Sequence, residues 1–136
     1  MSSARQRAGA VVTLAGVAAV APSVWQTATH ITDETYRAPQ VRHGEGHVQY
    51  HMAREVLITA GSVGVLVTGV LAGRDRSPAV WRGMVAAAAG IGAAMWSGGP
   101  TTGVWAPNRK ALLVHLASTT GLGVGVALLR PKAEHR

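Results

Sequence analysis

Four long apolar stretches alternate with polar ones along the chain, over about residues 8–28, 56–73, 79–98 and 111–129. Each is ~18–21 residues long, which at ~1.5 Å of rise per residue matches a hydrocarbon core ~30 Å thick. Four helices this apolar leave no polar faces for water. The pattern predicts an all-α fold. We expect an integral membrane four-helix bundle, a single transmembrane domain over residues 1–136.

The polar intervals set the connections. Arg74-Asp75-Arg76-Ser77-Pro78 reads as a tight turn, so the second and third spans should be antiparallel neighbours. Gly98-Gly99-Pro100 and Pro107-Asn108 read as turn signals between the third and fourth spans. The long outer loop covers residues 30–54.

Lys and Arg set the expected orientation. Arg5, Arg7, Arg74, Arg76, Arg82, Arg130, Lys132 and Arg136 fall on one side. Arg37, Arg42, Arg54, Arg109 and Lys110 fall on the other. The richer side holds both termini, which places them in the cytoplasm of a multi-pass cell-membrane protein. Trp25, Trp96 and Trp105 lie near the outer boundary and Trp81 near the inner one, as an aromatic belt requires. The first span also has the basic start and the small Ala19-Val20-Ala21 stretch of a signal peptide. Pro22 would follow that cut and the apolar run continues to Trp25, so a retained span is expected.

Composition agrees. Phe is absent, and small residues dominate, which suits helices packed closely in lipid. Charged residues make up 14% of the chain, well under the ~25% of a soluble domain. The net charge of +7 does not form a stripe; the basic residues flank apolar runs, so no nucleic-acid partner is expected. The lack of cysteine excludes disulfides and thiolate metal sites.

The candidate chemistry is histidine. His30 ends the first span, and His43, His47 and His51 lead into the second. His115 lies five residues past Lys110, about 7 Å into the fourth span. Only His135, in the tail, falls elsewhere. If a helix starts just after Gly46, then His47, His51 and Glu55 share one face, with Arg54 beside them. Gly44 and Gly46 make His43 a weaker member, while Asp33, Glu34 and Glu45 are further carboxylates in the loop.

Two chemistries suit that face. His47 and His51 could chelate one divalent metal, with Glu55 completing the site. Alternatively, His and Glu near a lipid boundary act as general acid and base without a cofactor. An ionisable group inside a span, such as His115, is a functional candidate by default. Blander uses exist. Glu55 and Arg54 can mark a helix start at the interface. His115 can bond across helices to Thr27 or Thr59. Gly69-x-x-x-Gly73 and Gly121-x-x-x-Gly125 are packing motifs that serve helices of one chain, a homo-oligomer or a membrane-complex partner.

The segment Trp25-Gln26-Thr27-Ala28-Thr29-His30-Ile31, followed by His47-Val48-Gln49-Tyr50-His51, resembles a family of small four-span membrane proteins of bacteria and fungi. That family shows a Trp and a Thr-His pair at the end of the first span and a His-x-x-aromatic-His element before the second. The likeness covers the first half of the chain and lacks a Pro-rich stretch between the two elements. The resemblance implies His30, His47 and His51 as site residues. It implies no reaction.

The expected function is acid–base chemistry, such as isomerisation, cyclisation or hydrolysis, on a lipophilic small molecule. Glu55 would be proton donor or base, His51 and His115 would position or relay the proton, and Arg54 would steady an oxyanion. His30 and His47 would complete the pocket. A His-ligated metal protein and a non-catalytic accessory subunit are the alternatives.

Overall fold

The computed structural model describes residues 3–37, 44 and 46–131. Arg42, His43, Glu45, Lys132, His135 and Arg136 lie outside the described residues. Among the described residues every regular element is helical. They are α1 (Ser3–His30), α2 (His47–Leu71), α3 (Pro78–Trp96), α4 (Gly98–Thr102) and α5 (Arg109–Leu128). Short 3-10 turns cover Glu34–Tyr36 and Gly73–Asp75.

Four segments are long and apolar enough to cross a membrane: Ala4–His30, His47–Leu71, Pro78–Thr102 and Arg109–Leu128. The helices extend past the apolar runs, because a helix has no reason to stop where hydropathy does. α2 begins nine residues before Val56, with Gly46 as its N-cap. The outer connection is correspondingly shorter than residues 30–54.

Local chemistry explains the boundaries. The Ser77 hydroxyl accepts from the Val80 N–H at 3.2 Å and Pro78 opens α3, where a missing N–H costs nothing. The Asn108 side chain caps α5 by accepting from the Ala111 N–H at 2.9 Å. Gly98-Gly99-Pro100 is not a turn but the start of α4; Pro100 sits in the first helical turn, where it is tolerated. The turn comes at Gly103, which ends α4 in the left-handed region at φ 78°.

The bundle closes as a ring in which α1 packs on α2 and α5, and α3 packs on α2 and α5. α1 and α5 approach most closely. A Cβ on Gly121 would lie 2.8 Å from the Gly16 Cα, and Gly125 lies against Thr13. The Gly121/Gly125 motif is thus used within the chain. Gly69 packs against the Met84 side chain, but a Cβ on Gly73 would meet nothing within 4 Å among the described residues, and Gly73 instead turns the chain at φ 54°. The Gly69/Gly73 spacing is one packing residue and one turn residue, not a packing pair.

Few side chains are buried, among them Leu66, Met84, Leu122 and Leu129. Large apolar residues point outward instead: Leu71 is 79% exposed, Leu57 73% and Leu113 59%. Water would not tolerate such a belt, whereas hydrocarbon requires it. Hydroxyls inside the spans turn back on their own helix. Thr13 donates to the Gly9 carbonyl at 2.7 Å, Ser118 to Val114 at 2.6 Å and Ser62 to Ile58 at 3.0 Å.

The two ends of the bundle differ. At the end where α1 begins and α5 finishes, Arg76 is 5% exposed and donates to four acceptors. These are the carbonyls of Gly69 (2.6 Å), Val70 (3.4 Å) and Leu129 (3.1 Å) and the Gln6 Oε1 (3.1 Å). One guanidinium therefore satisfies the orphan carbonyls that end α2 and α5 and reaches the start of α1. Trp81 Nε1 donates to the Val126 carbonyl at 2.9 Å, and Arg130 lies 5.6 Å over the Trp81 ring. The distal end has no such clasp among the described residues, and the helices there enclose space.

Candidate functional site

The space at the distal end begins above Val20 and Ile91, the two buried residues that floor it. Ser23 and Thr27 line it from α1, Glu55 and Thr59 from α2, Met95 from α3 and His115 from α5. Its volume is about 120 Å³. The polar residues come in pairs four apart, Ser23 with Thr27 and Glu55 with Thr59, so each pair presents one helix face.

His115 enters from α5 with its ring edge-on to Trp96, centroids 5.3 Å apart. Its Nδ1 is buried and finds no hydrogen-bond partner among the described residues. The alternative use of His115, a bond across helices to Thr27 or Thr59, is not made. The Thr27 hydroxyl is committed to the Ser23 carbonyl at 3.1 Å, and Thr59 shares the cavity without bonding the ring. A buried imidazole nitrogen needs a hydrogen-bonding partner, and a polar ligand atom or a water in this cavity can supply one.

Two further cavities adjoin the first. One, of about 330 Å³, lies between α2 and α3 and is lined by His51, Arg54, Glu55, Ile58, Thr59 and Ile91, among others. It shares Glu55, Thr59, Ile91 and Ala94 with the central cavity. The other, of about 240 Å³, lies between α1 and α5 beside Pro22, Gln26, Asn108 and Lys110. It shares Ser23 and His115 with the central cavity. Glu55 and His115 thus stand at the two junctions.

The remaining site candidates are placed as follows. His51 and Arg54 line the α2/α3 cavity. The Arg54 guanidinium lies 5.5 Å over the Tyr50 ring, and Arg54 and Glu55 form no ion pair with each other. His47 and His51 meet Nε2 to Nε2 at 3.1 Å, one ring donating to the other. His47 lines none of the three cavities. His30 ends α1, stacks on Tyr36 at 3.8 Å and also lines none of them. Among the described residues no three His, Asp or Glu side chains converge to hold a metal ion. Glu55 lies eight residues beyond His47, about 12 Å along the axis and some 80° around it, so the stripe drifts too far to close on one ion.

In the loop beyond α1, the Asp33 carboxylate accepts from the Thr35 hydroxyl at 2.7 Å and the Thr35 N–H at 2.9 Å. The hydroxyl bond, then the backbone bond, hold its pKa below the usual carboxylate value, with His30 adding a small charge effect. Glu34 pairs with Arg37 at 3.1 Å. These carboxylates are engaged in the turn itself.

Comparison of the chain with protein-family models, curated proteins and solved structures gave no match.

Proposed function

We propose that this polytopic membrane protein performs acid–base chemistry on the polar end of a lipophilic small molecule, in the cavity between Glu55 and His115. One observation carries the reading. A carboxyl group from α2 and an imidazole with an unpartnered nitrogen from α5 line the same small cavity within the span-forming part of the bundle. Ionisable groups there are expensive to keep and are placed for use.

Glu55 is the proposed proton donor or base, and His115 holds or relays the proton on the opposite wall. His51 and Arg54 flank Glu55 and steady negative charge that develops on a substrate oxygen. Isomerisation, cyclisation and hydrolysis all fit this set. The arginine distribution supports placing the terminal end of the bundle in the cytoplasm.

The test is turnover by reconstituted protein in D2O, against a panel of unsaturated and ester-bearing lipophiles. Isomerisation or cyclisation that protonates carbon leaves carbon-bound deuterium in the product, and hydrolysis of an ester is read as release of the acid and the alcohol. Glu55→Gln and His115→Ala each lower turnover at least 100-fold under this reading, in line with the ~10²–10⁴-fold contribution of a general acid or base. Unchanged turnover in the double variant would sink it.

The His47–His51 contact favours a second reading. Two imidazole nitrogens 3.1 Å apart suit a shared proton or a shared divalent cation equally. Elemental analysis of protein purified with and without added zinc separates the two. Metal that stays bound to wild type and is absent from His51→Ala supports the cation; protein that cannot be loaded excludes it.

A further inference from the structure

The three cavities differ in what walls them, and the difference has a direction. The α2/α3 cavity is bounded over much of its length by Ile58, Gly90, Ile91 and Ala94. A Cβ on Gly90 would meet nothing within 4 Å, so this glycine leaves the groove open to whatever surrounds the bundle. Immediately beside it stand the outward-facing Leu57 and Ile58, 73% and 64% exposed, which belong to the lipid-facing belt. The α1/α5 cavity has less apolar wall: Pro22, Ala111 and Val114 stand among Ser23, Gln26, Asn108, Lys110 and His115. Asn108 and Lys110 sit at the very start of α5, where the chain leaves the spanning region.

Size decides what each part can hold. Small-molecule sites run to roughly 300–1,000 Å³. The central cavity, at about 120 Å³, is too small for a lipophilic body and large enough for a polar group with a few waters. The α2/α3 groove, at about 330 Å³, reaches the lower end of that range. A ligand that uses both has a hydrocarbon part in the groove and an oxygen-bearing part among His51, Arg54, Glu55 and Thr59.

We infer that the central cavity has two separate approaches: a lipid-side groove between α2 and α3 that admits the single hydrocarbon chain of an oxygen-headed amphiphile, and a polar mouth between α1 and α5 that brings water and protons to His115. The inference rests on the acid–base reading only for where the polar end of the ligand sits. Binding in the groove stands without catalysis. Two approaches at one depth keep the ligand and water apart until they meet between Glu55 and His115.

Two measurements on the full chain in phosphatidylcholine nanodiscs test it. In the first, hexadecanoic acid carrying a mid-chain diazirine is irradiated with the protein and the adducts are mapped by mass spectrometry. Adducts should concentrate on Ile58 and on residues 90–94. Gly90→Leu should lower that labelling at least 5-fold, and Gly123→Leu, at an outward glycine with equally open surroundings, should leave it unchanged. Ile58→Trp, which blocks the groove from the other wall, should repeat the loss if Gly90→Leu aggregates. Adducts spread evenly over Leu57, Leu71, Leu113 and Leu116 would mean that bulk lipid fills the groove, and would overturn the proposal.

The second measurement exploits the cysteine-free chain. Ser23 lies seven residues before His30 and Gly90 six before Trp96, so both are about 10 Å below their helix ends. A charged methanethiosulfonate should modify Ser23→Cys at least 10-fold faster than Gly90→Cys, because a thiol ionises only where water reaches it. Equal rates would remove the second approach. If labelling concentrates in the groove while Glu55→Gln leaves turnover intact, the acid–base reading fails and the groove remains. If turnover needs Glu55 but labelling is diffuse, the reverse holds.

Discussion

Arg76 Nε donates to the Gly69 carbonyl oxygen at 2.6 Å, seven residues back along the chain. The same guanidinium reaches Leu129 and Gln6, so a single loop residue joins three helices. Burial pulls its pKa below the usual arginine value, yet arginine keeps its charge. Arg76→Met should strand the carbonyls of Gly69 and Leu129 at the end of the bundle. Hydrogen bonds to a charged group contribute ~1.5–3 kcal/mol each, so a loss of about 3 kcal/mol is expected in thermal or denaturant unfolding in mild detergent. Arg74→Met, at an exposed neighbour in the same loop, should cost little.

The α1/α5 seam is equally specific. Without a hydrophobic force between helices in lipid, close packing holds them together. Gly121→Leu pushes a side chain into the Gly16 backbone, which cannot yield, and should cost ~2 kcal/mol or more. Gly123→Leu, two residues away and facing outward, should be nearly neutral. Equal effects in an unfolding assay would show that the seam is not the contact described.

His115 should show a trade between stability and function. Its Nδ1 is buried with no described partner, so a ring of similar shape that asks for no hydrogen bond removes a penalty. His115→Phe is expected to raise the unfolding midpoint, by about 1 kcal/mol of stability, while abolishing turnover. A lower midpoint would indicate that the imidazole has a structural bond after all.

Asp33 gives a pH dependence with a definite sign. Its folded pKa is depressed, so its contribution to the distal turn is complete above the unfolded value of ~3.9 and is lost as pH falls through the lower folded value. The Thr35 amide resonance should follow that protonation below pH ~4, and Asp33→Ala should abolish the dependence. A transition centred above the ordinary aspartate range would contradict the bonding.

Much of the architecture was readable because lipid leaves few choices. Four apolar runs of the right length had to be helices, and Gly46 marked where α2 begins. Asn108 and Ser77 were legible as loop residues, though their capping roles needed coordinates. Arg76 was not distinguishable from Arg74, because charge counting treats every loop arginine alike. Gly69 and Gly73 looked equivalent for a similar reason: spacing does not reveal which glycine meets a neighbour and which turns the chain. At the site, Glu55 stood out by its four-residue spacing from His51 and His47, and His115 as an ionisable group inside an apolar run. Ser23 did not, since small hydroxyls are ordinary in such helices, and Thr27 and Thr59 entered only as possible partners of His115 rather than as cavity walls, although the four-residue spacing from Glu55 to Thr59 was there to be found.

The Arg76 clasp also bears on biogenesis. Its partners are residues 6, 69, 70 and 129, which span almost the whole order of synthesis. The Leu129 carbonyl is the last of them to leave the ribosome. Three helices therefore enter the bilayer with an arginine at their base still waiting for one acceptor. Locking of the bundle is a late step that depends on arrival of the fourth.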